Sequence, residues 1–80
     1  MIKIKLYTTT TCPLCVKAKD YLKSKKIAFE EVNISINEQA REDLMEKSGQ
    51  LGVPVLEISG KGEPVIIVGF DKQAIDKAIQ

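Results

Sequence analysis

Eighty residues supply one hydrophobic core and not two, so a single domain over residues 1–80 is expected. Hydrophobic residues make up 44% and charged residues 29%, the balance of an ordinary globular chain. Twelve basic against eleven acidic side chains leave a net charge of +1, which gives no electrostatic case for a nucleic-acid or membrane partner.

The chain opens Met-Ile-Lys-Ile-Lys-Leu-Tyr. Its alternation with lysine is not the apolar region of a signal peptide, and no apolar run reaches membrane-spanning length, so the reducing cytosol is the expected location. Residues Ile2 to Tyr7 place Ile2, Ile4 and Leu6 on one face, the pattern of a strand. After the run Thr8 to Thr11 comes Cys12, and Pro13 suits the first turn of a helix. Leu14, Cys15, Ala18, Tyr21 and Leu22 then follow helical spacing to an end near Lys25. Ile27 to Ile34 reads as a second strand with Val32 and Ile34 inward, and two strands flanking such a helix form a parallel, right-handed βαβ unit. Asn37 can cap a second helix that buries Ala40, Leu44 and Met45 and stops at Gly49. Val53 to Ile58 is a third strand, Ser59-Gly60-Lys61-Gly62 a hairpin turn, and Pro64 to Val68 a fourth strand. Gly69-Phe70 turns the chain, and Asp71 can cap a last helix with Ala74, Ile75, Ala78 and Ile79 inward. The order is β-α-β-α-β-β-α. Lys17, Lys19, Lys23, Lys25 and Lys26 precede an acidic run from Glu30 to Glu46, and both are read as solvated faces of opposite sign.

Cys12 and Cys15 are the only cysteines, and there is no histidine. A structural zinc site wants four ligands, so the pair would need carboxylates or a second chain. A disulfide closing so small a loop removes little entropy from the unfolded chain, and a reducing compartment disfavours it as a staple. Redox catalysis fits the placement. Cys12 follows a strand and directly precedes a helix, where unpaired backbone N–H groups and the helix dipole favour a thiolate over a thiol. Cys15, one turn along, faces inward and can reach the Cys12 sulfur. Pro13 removes one donor between them but stiffens the turn, and Lys17 and Lys19 are expected to point to solvent. A second element, Gly52-Val53-Pro54, opens the third strand.

From about Lys3 to Ile79 the sequence resembles the glutaredoxin family within the thioredoxin-like fold. The resemblance rests on Leu-Tyr-Thr before Thr-Cys-Pro-Leu-Cys, on Ser48-Gly49-Gln50-Leu51-Gly52-Val53-Pro54, and on Gly69-Phe70-Asp71 before the last helix. It implies an α/β fold with a four-stranded mixed sheet flanked by three helices, and a cis bond before Pro54 opposite the cysteine pair. It also implies that the backbone of Val53 bonds the cysteinyl part of glutathione or a target peptide.

The departures from the family pattern are specific. Leu14 stands where the family has tyrosine, and Gly52 where it has threonine. Thr8 to Thr11 occupy the loop that elsewhere carries a carboxylate-binding lysine. Val68-Gly69-Phe70-Asp71-Lys72 replaces a pattern with paired aspartates; Asp71 keeps a carboxylate for glutathione's amino group, but Lys72 reverses the adjacent charge. The Gly-Phe pair is similar to the NrdH-redoxins, glutaredoxin-like proteins that take electrons from thioredoxin reductase. Gln50, Arg41 and Lys17 remain as carboxylate partners, and losing one charged hydrogen bond costs about 1.5–3 kcal/mol.

The resemblance thus implies a dithiol oxidoreductase with catalytic Cys12 and Cys15 and a binding surface from Tyr7, Pro13, Leu14, Gln50, Val53, Pro54, Gly69, Phe70 and Asp71. Tyr7 is read either as packing on the first helix or as lining the rim of the site, and Phe70 either as a turn residue or as apolar surface for a partner. No tightly bound cofactor is expected; glutathione is the co-substrate. Partners are disulfide-containing or glutathionylated proteins, with glutathione or thioredoxin reductase as electron source, and the chain is expected to be a monomer. A cluster- or metal-bridged dimer with glutathione is the alternative of a different class.

Overall fold

The structure is a computed structural model that describes residues 2–60 and 62–79. Lys61, in the predicted hairpin turn, lies outside the described residues. The elements are β1 (Lys3–Thr8), α1 (Pro13–Ser24), β2 (Glu30–Asn33), α2 (Glu38–Ser48), β3 (Val55–Ser59), β4 (Val65–Val68) and α3 (Lys72–Ile79). The predicted order therefore stands, as a four-stranded mixed sheet flanked by three helices.

The sheet runs β2-β1-β3-β4. β1 pairs parallel with β2, Thr8 opposite Asn33, and antiparallel with β3, Tyr7 opposite Val55. β4 returns antiparallel beside β3 with Val68 opposite Val55. Side chains alternate across these strands. Ile4 and Leu6 of β1, Leu56 and Ile58 of β3 and Ile67 of β4 meet Ala18 and Leu22 of α1 and Ile75 of α3 in one core. Tyr7 and Val55 face the other way, onto Ala40 and Leu44 of α2 and onto Ile34. Two helices thus cover one face of the sheet and α2 the other. Burying each leucine of these cores stabilises the fold by about 1.5–3 kcal/mol against leaving it in water.

Local chemistry sets the helix ends. Asn37 Oδ1 accepts from the Ala40 N–H at 3.0 Å, and Asp71 Oδ1 from the Ala74 N–H at 3.1 Å, as the sequence predicts. Gly49, at φ 75°, closes α2 in the left-handed conformation that glycine adopts without steric cost. α1 ends differently. Lys26 takes that conformation (φ 57°), so that its N–H reaches the Lys23 carbonyl and the Ile27 N–H the Leu22 carbonyl.

Several boundaries and burials correct the sequence reading. β2 begins at Glu30, not Ile27, because the Ile27 N–H closes α1; Ile27 and Phe29 still pack on the larger core. β3 begins at Val55 rather than Val53, and β4 at Val65 rather than Pro64; a proline has no N–H for the ladder. Met45, expected in the core, is 46% exposed. The stripe that α2 buries is Ala40 and Leu44, and Met45 lies about 100° around the helix from Leu44. Leu14 is likewise 48% exposed, since Cys15, Ala18 and Leu22 form the buried stripe of α1.

A non-glycine residue in the left-handed region carries about 1–2 kcal/mol of strain, partly offset by the unfolded-state entropy that glycine would add. Lys26→Gly is therefore expected to stabilise the protein by about 0.5–1 kcal/mol, read as a higher urea midpoint at unchanged slope.

Candidate active site

The strand directions bring four chain segments to one edge of the sheet. β1, β2 and β4 run toward that edge and β3 starts from it, as the pairings Thr8–Asn33, Tyr7–Val55 and Val55–Val68 require. The Thr9–Cys12 loop, the Ile34–Ile36 turn, Val53-Pro54 and Gly69-Phe70-Asp71 all leave there. Two bonds tie the first pair of loops: the Thr10 N–H donates to Ser35 Oγ at 3.3 Å, and Asn33 Nδ2 to Thr10 Oγ1 at 3.4 Å. The Gly69 N–H donates to the Pro54 carbonyl at 2.8 Å, tying the second pair. The Val53–Pro54 bond is cis, as the resemblance implied, and Pro54 is buried.

Cys12 is the N-cap of α1, with extended backbone (φ −143°, ψ 99°) and Pro13 in the first turn. Its sulfur accepts from the Cys15 N–H at 3.2 Å, a first-turn donor that it shares with its own carbonyl. The Cys12 carbonyl meanwhile accepts from the N–H groups of Cys15 (3.1 Å) and Val16 (3.3 Å). Cys12 is partly exposed and Cys15 is 2% exposed; the two are unbridged. Burial, first of all, pushes the Cys15 thiol up to about 12; its hydrogen bond to Cys12 and the charge of Cys12 act in the same direction. The backbone of Thr9 and the charge of Lys19 oppose them.

Around the pair, Pro13 and Leu14 are exposed and Val68 adds apolar surface at the end of β4. Phe70 packs edge-on to Tyr21 at 5.8 Å, with the Lys72 ammonium 5.6 Å from the Tyr21 ring and 6.0 Å from that of Phe70. Tyr21 Oη donates to Asp76 Oδ1 at 2.5 Å, which joins α1 to α3. Tyr21, Phe70 and Lys72, with Lys17, Asp20 and Ser24, line an open groove of about 490 Å³. Phe70 is thus half-buried against the core and half groove wall. The Asp71 carboxylate, exposed, already caps α3.

Three expected carboxylate or rim residues are placed differently. Tyr7 is 1% exposed and packs beneath α2, neither on α1 nor on the rim. Its position follows from strand alternation, since Leu6 takes the α1 face. The Gln50 side chain folds back on its own loop: Oε1 accepts from the Gly52 N–H and Nε2 donates to the Gly52 carbonyl at 3.2 Å. A Cβ at position 52 would lie 2.5 Å from Gln50 Oε1, so this fold-back depends on glycine there. Arg41 spends Nη2 on the Ile34 carbonyl at 3.1 Å.

Lys19, read as solvent-facing, instead pairs with Glu31 of β2 at 3.2 Å, and the buried Thr8 hydroxyl donates to the same carboxylate oxygen at 3.1 Å. Sequence reasoning missed this cluster. The available signal was the spacing of Lys19 four residues after Cys15 on one helix face.

The Glutaredoxin family model matches residues 4–63. An uncharacterised glutaredoxin-like 8.6 kDa protein from a rubredoxin operon of Clostridium pasteurianum is 51% identical over 77 residues, 96% of this chain and 97% of that one. Glutaredoxin 3 of Escherichia coli strain K12 is 38% identical over 61 residues, covering 76% of this chain and 74% of its own. Among solved structures, the glutaredoxin of Archaeoglobus fulgidus superposes with a TM-score of 0.82 at 25% identity, covering all of this chain and 88% of that one. The glutaredoxin-like NrdH-redoxin of Escherichia coli, whose activity profile is described as thioredoxin-like, superposes at 0.78 and 25% identity over 94% of this chain and 92% of its own. With a family model spanning most of its length and a relative identical at half its positions, the chain belongs to the glutaredoxin family of thioredoxin-like thiol oxidoreductases.

Proposed function

We propose that this protein is a dithiol redoxin that reduces disulfides through Cys12 and Cys15. One observation carries the reading: a partly exposed sulfur caps a helix start, and a second, buried cysteine supplies the N–H that the first accepts. Positive partial charge and unpaired donors at a helix N-terminus favour the thiolate, the form that attacks sulfur.

In the first step the Cys12 thiolate attacks one sulfur of a target disulfide. A Cys12–target mixed disulfide forms, the other target sulfur leaves as a thiolate, and that thiolate takes a proton from water. In the second step Cys15 loses its proton and attacks the Cys12 sulfur. The mixed disulfide breaks, Cys12 and Cys15 become bridged, and the target leaves as a thiolate that takes up a proton. Two electrons pass from the cysteine pair to the target. Burial is the main influence that holds the Cys15 proton, and the charge of Cys12 adds to it; capture of Cys12 removes that charge and so favours the second step. Regeneration requires two electrons from glutathione or a flavoprotein reductase.

Substrate is assigned to the sheet edge beside Cys12: the backbone of Val53 beside Pro54, the exposed Pro13 and Leu14, and Gly69, Phe70 and Asp71. Fold-back of Gln50, engagement of Arg41 and the Lys72 charge beside Asp71 all weaken a site for the carboxylates and amino group of glutathione. They favour a second reading, an NrdH-redoxin-like electron donor served by thioredoxin reductase, and the superposition on the NrdH-redoxin supports it. A cytosolic location is part of the proposal.

Cys12→Ser is expected to abolish disulfide reduction, and Cys15→Ser to accumulate mixed disulfides with target proteins, both read by non-reducing gels and mass spectrometry; full activity of the Cys12→Ser protein would refute the assignment. Supplied with NADPH, the oxidised protein is expected to turn over faster with thioredoxin reductase than with glutathione and glutathione reductase. Gly52→Thr, which displaces the Gln50 carboxamide, is expected to raise the glutathione-coupled rate by about tenfold, the worth of roughly one recovered charged hydrogen bond. An unchanged rate would remove Gln50 from the site.

A further inference from the structure

We propose that Lys19, held by Glu31, which Thr8 holds in turn, is a positioning residue that prepares Cys15 for its attack on the mixed disulfide. The inference rests on the reading of Cys15 as the resolving thiol and adds the group that makes it reactive. A buried thiol in an apolar setting is a poor nucleophile, because the thiolate it must become has lost its hydration. Something nearby has to favour that charge at the moment of attack.

Lys19 is placed to do so. It follows Cys15 by four residues on α1, so the two side chains share one helix face. A free lysine would swing into water. This one is 29% exposed, and its ammonium meets Glu31 Oε2 at 3.2 Å. Glu31 is itself held by β1, through the buried Thr8 hydroxyl on the same oxygen at 3.1 Å. The next residue, Thr9, turns its backbone onto the Cys15 thiol. Three elements, β1, α1 and β2, therefore meet at a single carboxylate oxygen that holds Lys19 one helical turn from Cys15.

Several other charged groups on the surrounding elements are engaged elsewhere, and Lys17, Asp20 and Lys23 of α1 are exposed. Glu57 of β3 pairs with Lys47 of α2 at 2.9 Å on the opposite face of the sheet. Asp71 caps α3, Lys72 sits over Tyr21 and Phe70, and Asp76 pairs with Tyr21 and Lys25. Glu30 alternates with Glu31 across β2 and so points to the other face. Besides Cys12 itself, Lys19 is the charge that acts on the Cys15 thiol, and it acts in the direction that releases the proton.

The chemistry is the second step above. Cys15 gives up its proton, its sulfur bonds to Cys12 sulfur, the target thiolate departs and is protonated, and the electron count is that of one dithiol oxidised and one disulfide reduced. Lys19 neither gives nor takes a proton; its fixed charge stabilises the attacking thiolate. Losing that charge lowers the thiolate fraction, while the more basic thiolate attacks faster with a Brønsted slope of about 0.4–0.5, so that the net loss in rate is a few-fold.

Stopped-flow reaction of the reduced protein with a limiting amount of 5,5′-dithiobis(2-nitrobenzoate) separates the steps. The first release of thionitrobenzoate reports capture by Cys12 and the second reports displacement by Cys15. Lys19→Gln is expected to slow the second release a few-fold at neutral pH, to move its pH profile upward, and to leave the first release within twofold; Lys19→Arg is expected to restore it. An unchanged second release in Lys19→Gln, or an equal slowing of both releases, would each overturn the proposal. A wild-type trace with no second release would instead overturn the reading of Cys15 itself.

Discussion

Leu6 and Leu56 face each other across the centre of the sheet with no exposed surface, and the site depends on that pairing. It sets β1 against β3 so that Tyr7 meets Val55, which puts the end of one strand beside the start of the other. A slip of one residue would exchange the two faces of β1, sending Leu6 under α2 and Tyr7 toward α1. It would also carry the Thr9–Cys12 loop away from Val53-Pro54. Chemistry at the edge of this sheet is therefore specified from its middle, by apolar contacts that no reactant touches. Ligand sites outside the carboxyl ends of strands are common in open α/β sheets, and here β4 contributes its own carboxyl end to the same edge.

What could be read from the sequence follows from the range of the interactions involved. Asn37, Gly49 and Asp71 act within three or four residues of themselves, so their roles at helix ends were legible as local patterns. Strand order and helix placement followed from the βαβ spacing and the family resemblance. Misreadings arose where a residue's partner lies far along the chain. Met45 and Leu14 satisfy helical spacing, but two or three side chains already fill the stripe that the sheet can accept. The side of the sheet that Tyr7 faces is decided by its neighbour Leu6. Lys19 and Glu31 are twelve positions apart and meet only because α1 folds back over β1 and β2. Gln50 and Arg41 are different again. Their residue types suit a carboxylate partner, but backbone groups a few residues away reach them first.

The segregated charges along the sequence are largely solvated, as read: Lys17, Lys23 and Lys26 on one side and Glu30, Glu38, Glu42 and Glu46 on the other are exposed. One ion pair, Lys19 with Glu31, joins the two runs, and Lys25 with Asp76 and Lys47 with Glu57 tie further elements together. Exposed pairs of this kind contribute at most about 1 kcal/mol each, so the cores, not these bridges, hold the fold. Their effect is positional. Lys25 and Tyr21 share Asp76 and lock α1 to α3, which fixes Tyr21 as one wall of the groove it lines with Phe70.

Cys12 holds two posts at once, since the sulfur of this partly exposed residue is also a side-chain acceptor in the first turn of α1. An asparagine or aspartate cap is chemically inert; this one is not. Whatever bonds to that sulfur withdraws an acceptor from the helix start, so every change of covalent state at Cys12 is felt by the backbone amide of Cys15. The protein thus carries its own gauge: the amide resonance of Cys15 reports, without any added label, whether the sulfur three residues earlier is free or occupied.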